Sequence, residues 1–464
     1  MSTRPSDVIV ADMVIVGGGP AGIAAATRAA ESGRRVVLLD ESPQVGGQIW
    51  RHQPGRAIPI ARRWIARLER SGATVLSGAS VVDMRERARA IVPSRAHVVP
   101  SGADVVPSEA RDLLLPKRFA VTGERHLHPL LIEADAIVLA TGARERFIPF
   151  PGWTMPGVIG IGGAQALLKA GMSFAGKRVV IAGSGPLLLP VAAALVADGA
   201  RLLLVAEQGS RRAVARFATG LWRRPGALLQ AARYRAGFAG TPYKTGTWVT
   251  AAHGDGRLQE VSVTDGTTTR TIACDVLCAA YGLVPNTELA RLLGCETAHG
   301  AVVVDDRQET TVAGVYCVGE STGIGGVDLS LVEGEIGGLC AGDRDASAHA
   351  LHGRRAGFRT MAHAMERAFA PRAELRELAT PETIVCRCED VPLGALSRHW
   401  SARQAKLYTR AGMGPCQGRV CGASLEFLFG WPADATRVPS EPALLSTLLA
   451  DTAHDAGAPL HLGV

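Results

Sequence analysis

Residues 13–22 read Met-Val-Ile-Val-Gly-Gly-Gly-Pro-Ala-Gly, and this stretch indicates the fold. Four apolar residues with the pattern of a buried strand run into a glycine-rich turn, and the alanine-rich segment after it, to Ser32, has the pattern of a helix. A second strand, Arg35 to Leu39, follows and ends at Asp40. Strand, helix and strand in this order form a βαβ unit, which predicts a parallel sheet.

The glycine spacing G-x-G-x-x-G after a strand is typical of a dinucleotide-binding turn. Gly17 permits the tight turn, Gly19 leaves room for a pyrophosphate, and Gly22 lets the helix pack closely on the strand. The free N–H groups of the helix N-terminus would then face the phosphates. Asp40 is placed to accept hydrogen bonds from ribose hydroxyls, with Glu41 as the competing choice. The fingerprint does not separate NAD from FAD, and a glycine-rich turn without a ligand is the remaining alternative.

A second βαβ pattern covers residues 178–207. Gly183 and Gly185 occupy the first two glycine positions, but Leu188 stands at the third. A leucine there either pushes the helix away from the strand or requires a shifted helix start. Glu207, at the end of the following strand, could still bind ribose hydroxyls. Three interpretations stay open: a working NAD(P)H site, a site for a different adenine nucleotide, and a retained fold that binds nothing.

Length and composition limit the class of protein. At about 150 residues per domain, a chain of this length is expected to form roughly three domains. Its content of 47% hydrophobic and 20% charged residues excludes a wholly disordered chain. The net charge of +7 is mild and no nucleic-acid recognition motif accompanies it. Asp12 interrupts the first apolar run, and a glycine-rich turn breaks the apolar run 179–197. We therefore expect a cytoplasmic protein with no transmembrane segment and no nucleic-acid partner.

The strand pattern of the first unit resumes near residue 314, so one dinucleotide-type domain is predicted to be interrupted by another and then completed. The predicted fold class is α/β, with two Rossmann-like three-layer domains and a small C-terminal domain. The predicted boundaries are 1–150 for the first part of the first domain, 151–285 for the inserted domain, 286–345 for the second part of the first domain, 346–380 for a linker helix, 381–430 for a cysteine-containing domain and 431–464 for a C-terminal extension.

Four of the nine cysteines lie in the last 80 residues, at positions 386, 388, 416 and 421. Residues i and i+2 of an extended segment point the same way, so Cys386 and Cys388 can face one metal centre. Four thiolates suit zinc or iron–sulfur, and this spacing differs from the CxxC knuckles of structural zinc sites, which favours a [2Fe–2S] cluster. Zinc and unligated thiols are the alternatives. Cys274 and Cys278, like the remaining cysteines, are expected to be buried core thiols.

The body of the chain resembles the pyridine-nucleotide–disulfide oxidoreductase superfamily, of glutathione and thioredoxin reductase type, over roughly residues 10–345. The resemblance rests on Val-Gly-Gly-Gln at 45–48, Ala-Thr-Gly at 140–142 and Tyr-Cys-Val-Gly-Glu at 316–320. It implies FAD at the first site, with Glu320 in place of the usual Asp. Neither arrangement of the superfamily's redox-active cysteine pair is present, which argues against a disulfide reductase. The candidate FAD-binding residues are Gly17, Gly19, Pro20, Ala21, Gly22, Asp40, Glu41, Gly47, Gln48, Thr141, Gly142, Gly319 and Glu320.

The C-terminal segment resembles the bacterioferritin-associated-ferredoxin-like (BFD-like) [2Fe–2S] domain, which is an α domain. The resemblance places Cys386, Cys388, Cys416 and Cys421 at the ligand positions. The spacer between the two cysteine pairs is a few residues shorter than the usual pattern. This predicts a trimmed helix around residues 393–399.

The two glycine-rich turns together with Cys-Arg-Cys-Glu at 386–389 resemble the α (A) subunits of multimeric imino- and amino-acid dehydrogenases and oxidases: opine oxidase, D-hydroxyproline dehydrogenase and hydrogen cyanide synthase. The likeness implies an electron-relay subunit with FAD and a [2Fe–2S] cluster. A separate flavin β subunit, similar to D-amino-acid oxidase, would oxidise the substrate. Family members also use FMN at the subunit junction and a small ferredoxin-like γ subunit, and such a complex can lie on the inner membrane.

Two further hypotheses compete with the relay subunit. One is an NAD(P)H-dependent reductase of a ferredoxin or oxygenase partner, against which Leu188 argues; the other is an iron-release or redox-sensing protein. Residues 208–254 contain eight basic residues and no acidic one. This basic stretch is either a partner surface or a solvated face.

Overall fold

The computed structural model describes residues 8–51, 58–87, 118–432 and 436–455. The described elements of residues 8–145 are β1 Ile9–Val10, β2 Met13–Val16, α1 Pro20–Glu31, β3 Val36–Asp40, α2 Pro59–Arg70, β4 Thr74–Ser77, β5 Ala79–Arg87, β6 Arg118–Arg125, β7 His128–Ala134, β8 Ala136–Leu139 and β9 Ala143–Glu145. Those of residues 146–285 are β10 Val158–Ile159, α3 Ile161–Lys169, β11 Arg178–Gly183, α4 Leu188–Ala197, β12 Arg201–Glu207, α5 Arg211–Gly220, α6 Pro225–Ala236, β13 Tyr243–Thr245, β14 Trp248–His253, β15 Glu260–Thr264, β16 Thr269–Ala273, β17 Val276–Ala280 and β18 Leu283–Pro285.

The remaining described elements belong to the end of the first domain and to the C-terminal part. They are α7 Glu288–Leu292, β19 Thr297–Ala298, β20 Ala301–Val302, β21 Val315–Cys317, α8 Val327–Ala341, α9 Asp345–His349, α10 His352–Phe369, β22 Ile384–Cys386, β23 Val391–Pro392, α11 Ala402–Thr409, α12 Gly422–Phe429 and α13 Leu445–Asp455.

The first domain is built on a parallel five-stranded sheet in the order β21-β8-β2-β3-β4. β2 and β3 are buried along their whole length, as expected for strands covered on both faces. A second sheet, β1-β7-β6-β5, packs beside it. Helix α1 lies directly against α8, and glycines on α8 allow this close contact. An added side chain at Gly334 or Gly338 would lie only 2.2–2.3 Å from the α1 backbone. This close contact holds the N-terminus of α1 at the carboxyl ends of the strands.

The inserted domain has its own parallel five-stranded sheet, β10-β17-β11-β12-β13, and a three-stranded antiparallel sheet, β14-β15-β16. The antiparallel ribbon β9–β18 joins it to the first domain, with Val284 opposite Arg144. The α/β prediction is therefore confirmed, with mixed sheets.

The C-terminal part differs from an all-helical domain in one respect. It contains the antiparallel pair β22–β23 in addition to helices α11 and α12. In place of the trimmed helix expected around residues 393–399, the structure has a single 3-10 turn, Leu393–Ala395. The expected C-terminal extension is described at 431–432 and 436–455, and there it folds back onto the first domain, where the Ser440 N–H donates to the Val82 carbonyl at 2.8 Å.

Candidate functional site: two dinucleotide-type turns and a cysteine loop

The first glycine-rich turn lies between β2 and α1. Gly17 has φ +107°, and a side chain there would meet the Ala140 carbonyl oxygen at 2.2 Å. A side chain at Gly22 would meet the Gly17 carbonyl oxygen at 1.8 Å, so this glycine allows α1 to start against the strand. At Gly19 an added Cβ would have no atom within 4 Å. The space in front of the α1 N-terminus is therefore open at the position where a pyrophosphate would lie.

Asp40 at the end of β3 is 7% exposed and faces this turn. Its carboxylate accepts the Gly18 N–H at 2.5 Å and the Ser42 N–H at 2.8 Å. Asp40 therefore fixes the turn itself, and each of its oxygens keeps a second lone pair for a ligand hydroxyl. Glu41, the competing choice, is exposed.

The loop that follows β3 packs on the glycine-rich turn. The Gly46 N–H donates to the Gly18 carbonyl at 2.7 Å, and Gly47, with φ +57°, lies so close that an added Cβ would be 3.0 Å from the Gly19 Cα. Gln48 is exposed, but its carbonyl accepts the Lys169 Nζ at 3.1 Å.

Lys169, from α3 of the inserted domain, also donates to the Ile49 carbonyl at 2.8 Å. Burial lowers the pKa of Lys169 to about 8. The sequence analysis did not single out this lysine, since an interdomain contact leaves no local pattern.

The two later elements of the predicted flavin site meet the same helix end. Gly319, with φ +74°, approaches α1 closely, because an added Cβ would be 2.7 Å from the Ala21 Cβ. Thr141 Oγ1 and Ser321 Oγ are 2.9 Å apart, which ties the Thr141-Gly142 turn to the segment after Gly319. Burial raises the pKa of Glu320. The structure thus brings all the sequence elements predicted for FAD to one end of the parallel sheet.

A buried carboxylate that the sequence analysis missed supports this corner. Glu333 of α8 is 1% exposed and accepts the Gly319 N–H at 3.2 Å and the Thr322 hydroxyl at 2.9 Å. Arg359 of α10 forms an ion pair with it at 3.0 Å. Burial raises the pKa of Glu333, and Arg359 opposes that shift.

At the second dinucleotide-type turn the helix starts later than it does at the first turn. This is one of the two outcomes expected from the leucine at position 188. Helix α4 begins at Leu188 itself, which is fully buried, and residues 184–187 form the turn before it. Glu207 is also fully buried and accepts the Gly185 N–H at 2.7 Å and the Gly209 N–H at 2.6 Å. Burial raises the pKa of Glu207 to about 7. The carboxylate that could bind ribose hydroxyls is thus enclosed by backbone.

The C-terminal end of α10 covers this second turn. The Ser184 hydroxyl donates to the Phe369 carbonyl at 2.7 Å, and the Phe369 ring lies 3.8 Å from where a Gly185 side chain would begin. The Gln208 amide donates to the Ala370 carbonyl at 3.0 Å and accepts the Arg372 N–H at 3.1 Å. We call residues 369–372 the plug segment. It lies where the pyrophosphate of a dinucleotide would approach the turn.

The aromatic and cationic groups of the plug segment add to these hydrogen bonds. The Phe369 ring packs edge-on against Phe217 of α5 at 5.1 Å, and the Arg372 guanidinium lies 3.8 Å from the centre of the Trp248 ring. The sequence predicted a linker helix at residues 346–380 but not where it packs, because the plug and Gln208 are about 160 residues apart.

The four C-terminal cysteines are brought together. Cys386 and Cys421 are buried, Cys416 is half-buried, and Cys388 is exposed. The side chains of Cys386 and Cys421, of Cys421 and Cys416, and of Cys416 and Cys388 lie close enough to shift one another's pKa. The neighbouring Cys421 thiol lowers the pKa of Cys386 and of Cys416.

The backbone around these thiols is strongly curved, and the curvature depends on left-handed residues. Gly412 and Gly418 have φ near +80°, and Arg410 and Gln417 are also left-handed. The Gly412 N–H donates to Cys386 Sγ at 3.4 Å. Within the described residues, no group of three or more His, Cys, Asp and Glu side chains has the arrangement of a metal site. The metal assignment therefore remains a prediction that rests on the thiol donor set.

The remaining cysteines are core residues, as predicted. Cys274 and Cys278 are fully buried in the inserted domain. Burial raises the pKa of both thiols, that of Cys274 to about 12. Cys295, Cys317 and Cys340 are buried as well.

Comparison with known proteins identifies the family. Residues 11–336 match the family model described as pyridine nucleotide-disulphide oxidoreductase. The chain belongs to this family. Within it, the chain is 32% identical over 444 residues to the A component of opine oxidase from Agrobacterium tumefaciens, covering 89% of this chain and 84% of the relative. It is also 32% identical over 445 residues to the HcnB component of hydrogen cyanide synthase from Pseudomonas aeruginosa, covering 88% and 90%.

Solved structures agree on the fold. L-proline dehydrogenase from P. horikoshii superposes with a TM-score of 0.66 at 20% identity, covering 97% of this chain and 81% of that one. Thioredoxin reductase of T. acidophilum gives 0.52 at 21% identity, covering 73% and 99%. The sequence relatives place the chain with the opine oxidase A and HcnB subunits, and the prediction of that subunit family is confirmed. The family is one of flavoproteins, which implies FAD.

The basic stretch, residues 208–254, is exposed on α5 and α6. Neither helix has a buried residue, and Trp222 between them is 70% exposed. Arg224 is used internally, 4.4 Å from the centre of the Phe358 ring. Whether this stretch is a partner surface stays a prediction.

In the described parts of the chain, no helix combines the length and apolarity needed to cross a bilayer.

Proposed function

We propose that this chain is the FAD- and [2Fe–2S]-containing relay subunit of a multi-subunit oxidoreductase that oxidises imino or amino acids. The substrate class is D-hydroxyproline, proline, an opine or a glycine-like compound, and the electrons continue to an electron-transport acceptor. The relatives named as subunits of opine oxidase and hydrogen cyanide synthase support the CH–NH class. The observation that carries the proposal is the plug segment, because it occupies the approach to the second turn and leaves the first turn open.

The residues at the first turn fit FAD. The open space at Gly19 and the N-terminus of α1 suit a pyrophosphate, and Asp40 can accept ribose hydroxyls. Gly47 and Gln48 line the loop above the turn, while Thr141, Gly142, Gly319 and Glu320 close the far side. Pro20, Ala21 and Gly22 form the first helical turn, and Glu41 stands at the exposed edge.

We infer from the donor set that Cys386, Cys388, Cys416 and Cys421 would hold an iron–sulfur cluster, since four thiolates are the usual ligands of such a cluster. When bound, FAD would exchange two electrons and the cluster one, so the pair would convert electron pairs into single electrons. The backbone N–H of Gly412 donates to the Cys386 sulfur, and hydrogen bonds of this kind tune the reduction potential of a bound cluster. Exposed Cys388 places one edge of the site at the surface, where a one-electron acceptor could approach.

The plug segment argues that NAD(P)H is not the electron donor. A dinucleotide at the second turn would have to displace Phe369 and break the hydrogen bonds of Ser184 and Gln208 to this segment. Glu207 is also fully buried, whereas Asp40 of the first turn is 7% exposed, so no surface of the Glu207 carboxylate is accessible to ribose hydroxyls. The electron pair therefore comes from a partner subunit.

The proposed partner that binds substrate is a flavin β subunit similar to D-amino-acid oxidase. FMN at the subunit junction and a small ferredoxin-like γ subunit belong to the same proposal, as does a cytoplasmic complex peripheral to the inner membrane. We propose no nucleic-acid partner, because the net charge is mild and no nucleic-acid recognition motif accompanies it.

The test begins with the chain co-expressed with the neighbouring genes and purified without oxygen. We expect flavin and iron–sulfide absorption bands, iron and acid-labile sulfide in equal amounts, and dye reduction by proline, D-hydroxyproline or an opine only in the complex. Rapid bleaching of the flavin by NADH would favour a ferredoxin or oxygenase reductase instead. A zinc-containing or colourless chain, or substrate oxidation by this chain alone, would refute the proposal.

A further inference from the structure

A ribbon of two short strands, β9 and β18, links the two dinucleotide domains and contacts the cysteine loop. Arg144 lies in β9 opposite Val284, and Asn286 directly follows β18. Both side chains are half-buried in the junction between the first turn, the inserted domain and residues 416–421. The contacts of these two residues form a continuous path.

The path starts at the cysteine loop. The Arg144 Nε donates to the carbonyl of Arg419, which lies between Cys416 and Cys421, at 2.9 Å. Its Nη1 donates to the Asn286 Oδ1 at 2.6 Å, and its Nη2 pairs with Glu288 at 2.9 Å. The planar guanidinium thus uses three nitrogens in three fixed directions, which a lysine could not reproduce.

The path ends at the first dinucleotide site. The Asn286 Nδ2 donates to the Thr141 carbonyl at 2.8 Å, and the Asn286 N–H donates to the Gly142 carbonyl at 2.9 Å. The Thr141 hydroxyl donates back to the Asn286 carbonyl at 2.8 Å and also contacts Ser321. Three successive hydrogen bonds therefore connect the cysteine loop to the turn assigned to FAD.

We propose that Arg144 and Asn286 are positioning residues that hold the cysteine loop at a fixed separation from the flavin turn. The inference rests on the proposed function, because it assumes a centre at each end. Electron tunnelling falls off less steeply through covalent and hydrogen-bonded atoms than across a gap, so a rigid path of this kind favours transfer. With both groups bound, Arg144 and Asn286 would keep the two sites at a fixed spacing; FAD would supply one electron at a time, the cluster would accept it, and an external one-electron acceptor would take it from the cluster.

Other contacts keep the cysteine domain attached when this path is cut. The Trp153 indole donates to the Ile384 carbonyl at 2.5 Å, and Arg376 donates to the Phe427 carbonyl at 3.0 Å. Arg419 is held independently by the Ser440 carbonyl at 2.8 Å. Variants of the path should therefore fold with both centres in place.

The experiment compares Arg144→Gln and Asn286→Asp with the wild type in the full chain. Asp at 286 keeps an acceptor for Arg144 but loses the side-chain donor to Thr141, so it removes the third link and leaves the backbone bonds of residue 286 to Thr141 and Gly142. The matched control is Arg178→Gln, which removes an arginine ion pair with Asp275 inside the inserted domain. Flavin content, iron content and melting temperature are measured for every variant, together with hydrogen exchange of residues 416–421.

A laser flash with a deazaflavin radical delivers one electron, and absorbance then follows its redistribution between the flavin and iron bands. We expect both path variants to keep their centres, to exchange faster in the loop, and to redistribute the electron several-fold more slowly than the wild type. The control should match the wild type.

The possible results separate this inference from the proposed function. A wild-type chain without iron–sulfur bands overturns both. Path variants that hold both centres and redistribute the electron at the wild-type rate overturn the positioning role alone. If Arg144→Gln loses its iron, the rate of electron redistribution in Asn286→Asp tests the positioning role instead.

Discussion

Replacing Gln208 by Ala should loosen the plug segment from the second dinucleotide turn. The Gln208 side chain is 1% exposed. Its contact with the Phe369 carbonyl is long, at 3.4 Å, and its two shorter hydrogen bonds to the plug are those at Ala370 and at Arg372. At about 1 kcal/mol net for each, their loss shifts the balance between bound and released segment by about 2 kcal/mol, which is roughly 30-fold. The Ser184 bond to Phe369 remains in the variant, so release should be partial.

Hydrogen exchange measured by mass spectrometry on peptides that contain residues 368–372 is the assay. We expect roughly 30-fold faster exchange in Gln208→Ala, because exchange of a locally opening segment follows the opening equilibrium. The control is Gln230→Ala, which removes a single bond to Tyr234 on the exposed face of α6. It should leave this peptide unchanged.

Nucleotide binding provides the second measurement on the same variant. When only the open form can bind, the apparent affinity for NADH scales with its population, so it should rise by the same factor. Equal exchange in Gln208→Ala and wild type would refute the idea that this side chain holds the plug. Tight NADH binding by the wild type would refute the idea that the plug closes the site.

Three further predictions concern the other groups. Gly19→Ala should lose flavin while keeping its stability or raising it slightly, by about 0.5 kcal/mol. Gly22→Ala should lower the free energy of unfolding by about 1–3 kcal/mol, because its Cβ would meet a carbonyl oxygen at 1.8 Å. Flavin content and urea unfolding distinguish the two variants. The raised pKa of Glu207, about 7, means that the folded protein binds this proton more tightly than the unfolded one, so its stabilising effect is full below about pH 4 and is lost as the pH rises through 7. Urea unfolding between pH 5 and 8 should show this decline in the wild type and not in Glu207→Gln. Cys388→Ser should lose bound iron in elemental analysis while Cys274→Ser, a core substitution, should retain it; equal iron in both would exclude the assigned ligand set.

Much of the first site could be predicted because its determinants are local. Positive φ angles at Gly17 and Gly319 and the close approach at Gly22 require glycine, so the spacing of glycines reports the backbone directly. The same reasoning found the cysteine pairs and gave the later helix start at Leu188 as one of two outcomes. Burial of the core cysteines followed from their apolar surroundings.

The contacts made by Lys169, Glu333 and the plug segment could not be predicted in this way. Each pairs residues that are far apart in sequence and carries no periodic or spacing signal; Lys169, for example, reaches the carbonyl of Gln48 across 121 positions. The helix before the plug was visible as a pattern, but its destination was not. Correct prediction of the helices and strands therefore did not show whether the second turn is accessible or covered.

By itself the sequence determined the two glycine turns, the order of the βαβ units and the four grouped thiols, because sterics and chain spacing act within a few residues. Only the tertiary structure decided that the second turn is covered and that Arg144 joins the cysteine loop to the first turn. Such contacts depend on how whole helices and sheets pack. The free energy that selects one packing is shared among many distant side chains, and no short segment records it.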